Sequence, residues 1–303
     1  MQSAQLLEQL HLGDPRSVAR AISLLEDQAD IGRRIMQGLD QQRLDKALTV
    51  GITGPPGAGK STLTSALVRQ LRQRGIRVGV IAVDPSSALT HGALLGDRIR
   101  MMEHALDPDV VARSMATRGR LGGLCAAAGA TMRIMAASGC RVVLIETVGI
   151  GQSEMDIASL ADITVLVLAP GFGDEIQAMK AGILEVVDLL VINKADMPGA
   201  SKLRFDLGRE AVQSDRVLET AAAENQGIED LLDRILALET EFRKGEKFIQ
   251  RRQQSWNKET VDRCLDLFRE HLTELMHEQS CIESDPGAAA EALLKRILHA
   301  RGR

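Results

Sequence analysis

Apolar residues fall into short continuous runs through the middle of the chain and into helically spaced stripes at its two ends. The runs are Leu48–Thr53, Val78–Val83, Val142–Glu146, Ile163–Leu168 and Leu189–Ile192, and the longer segments between them read as helices. Continuous rather than alternating apolar strands imply burial on both faces. They predict an α/β fold with a mostly parallel central sheet flanked by helices. Ligands of such sheets bind beyond the carboxyl ends of the strands. Residues 1–46 read as an N-terminal helical region, an adaptor or a helical cap on the domain that follows, with one stripe at Leu6, Leu7 and Leu10. A second stripe at Ala21, Leu24 and Leu25 follows the turn Gly13-Asp14-Pro15. Residues 47–240 hold the strands. Residues 241–303 begin with a basic stretch, Arg243 to Lys258, and continue with Val261, Leu265, Phe268, Leu272 and Leu275 on one helical face. A break at Ser284-Asp285-Pro286-Gly287 precedes a last expected helix near 288–298. This C-terminal helical arm is expected to dimerise the chain.

The first strand runs into Gly54-Pro55-Pro56-Gly57-Ala58-Gly59-Lys60-Ser61-Thr62, and a helical pattern follows from Leu63 to Arg72. This is a complete phosphate-binding loop between a strand and a helix, so the sheet is expected to be that of a P-loop NTPase. Backbone N–H groups of such a loop face the phosphates, and the helix start adds a favourable field. Lys60 would reach the β- and γ-phosphates, and the Ser61 hydroxyl would meet Mg²⁺. A dinucleotide fold places its glycines earlier in the turn and has no use for Lys60-Ser61.

Composition narrows the partners. The chain has 303 residues, 45% hydrophobic and 26% charged, with a formal net charge of -4. That acidic balance argues against bulk nucleic-acid binding. Tyrosine is absent and aromatics make up 2%, which disfavours recognition by stacked rings. No apolar stretch is long enough to cross a bilayer, and Met1-Gln2-Ser3-Ala4-Gln5 does not open a secretory signal, so a cytoplasmic location is expected. Cys125, Cys140, Cys264 and Cys281 form no CxxC pair and read as reduced thiols.

Asn193-Lys194-Ala195-Asp196 follows the strand ending at Ile192. A carboxylate at Asp196 can accept both guanine N1–H and the 2-amino group. Adenine offers neither donor, so it leaves the carboxylate unpaired. Asn193 can bond the loop and the base edge, and Lys194 can lay its stem along the ring. Thr220, Ala221 and Ala222 are placed to offer a backbone contact to the guanine carbonyl. The expected substrate is therefore GTP, with GDP as product.

Three acids are candidates for the magnesium site. Asp84 lies in Val83-Asp84-Pro85-Ser86-Ser87, Asp97 in Leu95-Gly96-Asp97-Arg98, and Glu146 where the second acidic motif of P-loop proteins belongs. Spacing does not assign which touches the metal and which holds a water. Gly149 is placed to donate its N–H to the γ-phosphate and to be released when that phosphate leaves. No glutamine follows Gly149 directly, and Gln152 is the nearest group able to orient water. Arg98, Arg118 and Arg120 are candidate charge stabilisers, each equally readable as a surface residue. The missing water-positioning group predicts slow intrinsic hydrolysis, raised by a partner.

These motifs resemble the MeaB/ArgK-like family of GTPases, which includes the methylmalonic aciduria type A protein. The resemblance rests on the phosphate loop, Val83–Ser87, Leu95–Arg98, Gly119-Arg120-Leu121-Gly122-Gly123 and Glu146-Thr147-Val148-Gly149-Ile150-Gly151-Gln152-Ser153-Glu154. It rests also on Pro170-Gly171-Phe172-Gly173-Asp174-Glu175-Ile176-Gln177, on Lys180, on Asn193–Asp196, and on Arg252, Gln254 and Trp256. It implies a homodimeric chaperone that gates cobalamin loading into an adenosylcobalamin-dependent acyl-CoA mutase and protects or reactivates that enzyme. On this resemblance Asp84, Asp97 and Glu146 belong to the Mg²⁺ and switch machinery. Gly171, Phe172, Gly173, Asp174, Glu175, Gln177 and Lys180 form a further switch that signals nucleotide state to the mutase.

Phe172 replaces a small alanine common in relatives, and Met115–Gly119 departs from their proline-containing form. Methylmalonyl-CoA, isobutyryl-CoA, 2-hydroxyisobutyryl-CoA and ethylmalonyl-CoA mutases all stay open as partners. The alternatives are a GTP-dependent nickel or other metal insertase, a small-molecule kinase and a non-catalytic GTP-regulated scaffold.

Overall fold

The computed structural model describes residues 3–27, 29–84, 104, 106–116, 123–147, 153–171, 183–209 and 214–278, with seven isolated positions between 285 and 295. Four helices come first: α1 (Ser3–His11), α2 (Pro15–Asp27), α3 (Ala29–Gln37) and α4 (Gln41–Lys46). The expected turn separates the first two. Asp14 accepts the Ser17 N–H at 2.7 Å, and Pro15 opens α2, where its missing N–H costs nothing.

The sheet follows as β1 (Leu48–Thr53), α5 (Lys60–Gln73), β2 (Val78–Asp84), β3 (Val110–Ala116), α6 (Gly123–Ala137) and β4 (Val142–Thr147). It continues through α7 (Ser153–Leu160), β5 (Ile163–Leu168), α8 (Ile183–Val186), β6 (Leu189–Ile192), α9 (Ala200–Arg209) and β7 (Val217–Glu219). Two long helices end the described chain, α10 (Ile228–Lys244) and α11 (Lys247–Glu278). All pairings in the seven-stranded sheet are parallel, in the order β3-β2-β4-β1-β5-β6-β7.

The alternation of the strands explains why both faces are covered. Leu48, Val50 and Ile52 of β1 share a core with Leu63 and Leu67 of α5 and with α10. On the other face, Ile81, Val143 and Ile145 meet the N-terminal helices and α6. Leu166, Leu190 and Ile192 meet Leu203 and Leu207 of α9. The N-terminal helices are therefore part of the layer covering one sheet face, with Leu10, Val18 and Ile35 buried in it. Helix α10 runs continuously across position 240.

β3 and β7 are not legible as apolar runs. β3 is an edge strand, so half-buried Arg113 and Ser114 interrupt its apolar residues. β7 has only three residues.

Arginines staple the C-terminal helices to the amino ends of the central strands. Arg252 donates to the Asp162 carboxylate at 2.9 Å and to Ala47 O at 2.7 Å. Asp162 also accepts from the Thr49 N–H and hydroxyl at 2.9 and 2.8 Å. Arg251 makes a two-pronged pair with Asp188 at 2.7 Å per contact and bonds Asp162 O. The Asp188 bonds raise the Arg251 pKa, so that cation stays charged.

Candidate nucleotide site

The phosphate loop starts where β1 ends at the centre of the sheet. Its glycines are dictated by close approach. A Cβ on Gly54 (φ +139°) would lie 2.1 Å from Val167 O of β5, and one on Gly59 (φ +91°) 2.4 Å from Asn193 Nδ2. Gly59 then caps α5, whose first-turn N–H groups face the loop. The Lys60 ammonium is buried at the loop and donates to Gly54 O at 2.8 Å and Pro55 O at 2.9 Å.

Two oxygen-bearing side chains meet at the mouth of this loop. Ser61 Oγ donates to Glu146 Oε1 at 2.5 Å. Glu146 sits on β4 in register with Ile52 of β1 and Ala82 of β2, so strand pairing delivers it beside the loop. One residue on, the Thr147 hydroxyl bonds that of Thr53 at 3.2 Å, tying the two strand ends together. Asp84 closes β2 opposite Ala116 on the same edge of the sheet; its side chain lies outside the described residues. A hydroxyl and a carboxylate at hydrogen-bond distance are hard oxygen donors. They fit Mg²⁺, which takes one or two protein groups and completes its shell with phosphate and water. Among the described residues no group of three or more His, Cys, Asp or Glu is arranged to hold a metal by itself.

The segment after β6 is bonded directly to the phosphate loop. Asn193 Nδ2 donates to Ala58 O at 2.9 Å, and Asn193 Oδ1 accepts from the Thr220 hydroxyl and the Ala222 N–H, each at 3.1 Å. Both ends of the Asn193 amide are thus used within the protein frame. Lys194, at φ +56°, extends its ammonium to Gly57 O at 2.8 Å, so its stem spans the space between the two loops. Asp196 is exposed, and its carboxylate has no partner among the described residues. The N–H groups of Thr220, Ala221 and Ala222 are taken by Ile192 O, Gln226 O and Asn193 Oδ1.

The chain matches the family model for the methylmalonyl-CoA mutase-associated GTPase MeaB over residues 18–278. It belongs to the MeaB/ArgK family of P-loop GTPases. A putative GTPase of Pyrococcus abyssi is 41% identical over 313 residues, covering 97% of this chain and 96% of the relative. The mitochondrial methylmalonic aciduria type A homolog of mouse is 34% identical, over 93% of this chain and 76% of its own length. GTPase ArgK of Escherichia coli is 35% identical, covering 83% of this chain and 80% of ArgK. A solved structure described as a LAO/AO transport system kinase shares the fold, with TM-score 0.69 and 24% identity, covering 98% of this chain and 97% of that one.

As a MeaB/ArgK-family member, the chain is a GTP-hydrolysing enzyme whose fold implies GTP and Mg²⁺ binding. Asp97, Gly149 and Gln152 lie outside the described residues, as do Arg98, Arg118, Arg120 and the switch residues Phe172, Gly173, Asp174, Glu175, Gln177 and Lys180. Gly171 is described, exposed and at φ +97°, with open space where a Cβ would stand. Sequence reasoning missed Thr53 and Thr147, whose hydroxyls lie on a strand face that burial alone would make apolar. It also missed Asp162; a lone carboxylate opening the apolar run Ile163–Leu168 was the available signal.

Proposed function

We propose that this GTPase is a regulatory metallochaperone. In this reading it controls loading of the cobalamin cofactor into an adenosylcobalamin-dependent acyl-CoA mutase, and protects or reactivates that enzyme. The observation that carries the reading is the extent of the family match. It takes in α2 from Val18 onward, α3, α4 and the whole of α11, not the nucleotide loops alone. A generic P-loop enzyme would match over the sheet only. The mouse relative's name, methylmalonic aciduria type A homolog, points to the same metabolism.

In this mechanism the phosphate-loop amides and Lys60 hold the β- and γ-phosphates. Asp196 selects guanine, and a backbone N–H of the loop after Thr220 donates to the base carbonyl. Ser61 and Glu146, with Asp84 or Asp97, hold Mg²⁺, which neutralises charge on the phosphate oxygens. Asn193 and Lys194 bond the base loop to the phosphate loop, so binding of either end of the nucleotide orders the other. Gly149 and the segment from Gly171 to Lys180 carry nucleotide state outward. Hydrolysis is slow without a partner that completes the water-positioning group. The exposed apolar positions Val261, Leu265 and Phe268 on α11 suit a homodimer contact.

A metal insertase is the second reading, since HypB of Helicobacter pylori, solved with nickel, has a related fold at TM-score 0.50 and 18% identity. One of its candidate ligands is poorly suited. Cys140 is 1% exposed, and burial raises its thiol pKa, which opposes the thiolate that binds soft metals.

The test is cofactor loading. Each candidate apo-mutase is mixed with adenosylcobalamin and this protein under GTP, GDP or a non-hydrolysable GTP analogue, and holoenzyme is followed by absorbance. GTP-dependent control of loading in one mutase is expected. Identical loading in all nucleotide states, for every mutase, would contradict the reading.

A further inference from the structure

We infer that Lys258 is a positioning residue linking the nucleotide site to the long C-terminal helix, through its ion pair with Asp156 on α7. The inference rests on the proposed reading of the segment after Glu146 as a nucleotide-dependent switch.

Helix α7 is the first described element after that segment, beginning at Ser153. Asp156 lies within its first turn. Lys258 of α11 donates to Asp156 Oδ1 at 2.7 Å and to Ser159 Oγ at 2.9 Å, and Ser159 Oγ in turn donates to Asp156 O at 2.7 Å. The pair is partly shielded, with side chains 37% and 26% exposed. Lys258 therefore holds α7 close to the end at which the switch arrives.

The other end of α7 is fixed differently. Asp162, two residues past it, is held by Arg252 and by both donors of Thr49, and Arg251 bonds its carbonyl. The inner side of α7 lies directly on β1: a Cβ on Gly51 would come 2.5 Å from Ile157 Cγ2. That strand leads into the phosphate loop. The helix thus has an anchored C-terminal end and an N-terminal end gripped by the arm. Displacement of its start would strain the Lys258 pair or carry α11 with it.

The neighbouring residue makes a different connection. Glu259 pairs with Arg133 on α6, and the missing side chain at Gly129 makes room for it. Adjacent residues of the arm therefore grip two different helices. Of these two residues, Lys258 grips the helix that continues the switch. From Lys258 to Glu278 the arm is a single helix, about 30 Å long at 1.5 Å per residue. Its exposed residues Val261, Leu265 and Phe268 lie along that lever. Through Lys258, nucleotide state and whatever covers this stripe bias one another, as linkage requires of two sites sharing one two-state element.

The experiment uses the full chain loaded with Mg²⁺ and either GDP or a non-hydrolysable GTP analogue, reading amide hydrogen exchange over residues 254–278. Wild-type exchange is expected to differ about fivefold or more between the two states. Lys258→Ala should bring that difference below about twofold, Asp156→Asn should do the same from the other side, and Lys258→Arg should restore it. Glu259→Gln, which cuts only the tie to α6, should retain the difference. Equal exchange in both states of the wild type, or an undiminished difference in Lys258→Ala and Asp156→Asn, would overturn the inference. Nucleotide titration of the wild type separates the failures. No guanine-nucleotide binding removes the functional reading and the link with it, whereas binding without an exchange difference removes the link alone.

Discussion

Replacing Lys60 by alanine is expected to lower GTP turnover by about 10²–10³-fold, the usual loss when one preorganised donor to a developing negative charge is removed. Lys60 opens α5, and its ammonium is buried against the carbonyls of Gly54 and Pro55. It is therefore positioned before phosphate arrives and needs little reorganisation to serve it. A γ-phosphoryl group in transfer spreads charge over its outer oxygens, so a cation fixed there stabilises the transition state more than the ground state. Turnover under saturating GTP is the quantity to measure, with a thermal melt to verify folding. Wild-type turnover in a folded Lys60→Ala protein would remove Lys60 from the mechanism.

Exchanging Asp196 for asparagine should weaken GTP binding by about 10²-fold, as expected for breaking a charge-assisted hydrogen bond and facing donor with donor. The carboxylate is exposed and unpartnered among the described residues, so removing it costs the fold little. The loss should appear in affinity for guanine nucleotides and not in the melting temperature. Xanthine carries a carbonyl where guanine has its 2-amino group, and the new amide N–H can donate to it. The variant should therefore gain affinity for XTP as it loses GTP. Competition titrations with GTP, XTP and ATP read this directly. An unchanged preference for GTP would mean that Asp196 does not face the base.

How legible the molecule was in its sequence depended on where each element lies. The central strands β1, β4, β5 and β6 are buried on both faces, so their apolar runs mark them almost residue by residue. The edge strand β3 has one neighbour and keeps polar side chains, and the run-based signal fails there. The phosphate loop was readable because its glycines, lysine and serine are each required by backbone geometry or phosphate chemistry. The bond from Asn193 to the loop was readable from its motif, but the acceptor, Ala58 O, was not, because 135 positions separate them and only the order β1-β5-β6 brings them together. The same holds for the ionic staples. Arg252 stood out only by resemblance, while Asp162, Asp188 and Asp156 looked like ordinary acids until the C-terminal helices were seen to fold back over them.

On the proposed reading the protein is a guanine-specific switch whose turnover is set by a mutase. The most direct measurement is phosphate release by the full chain with Mg²⁺, from GTP and from ATP, alone and with each cobalamin-dependent acyl-CoA mutase in turn. The predicted result is slow, GTP-selective hydrolysis alone, rising about tenfold or more with one mutase that supplies the missing catalytic positioning. Rapid hydrolysis by the isolated chain, equal use of ATP, or no response to any mutase would contradict it.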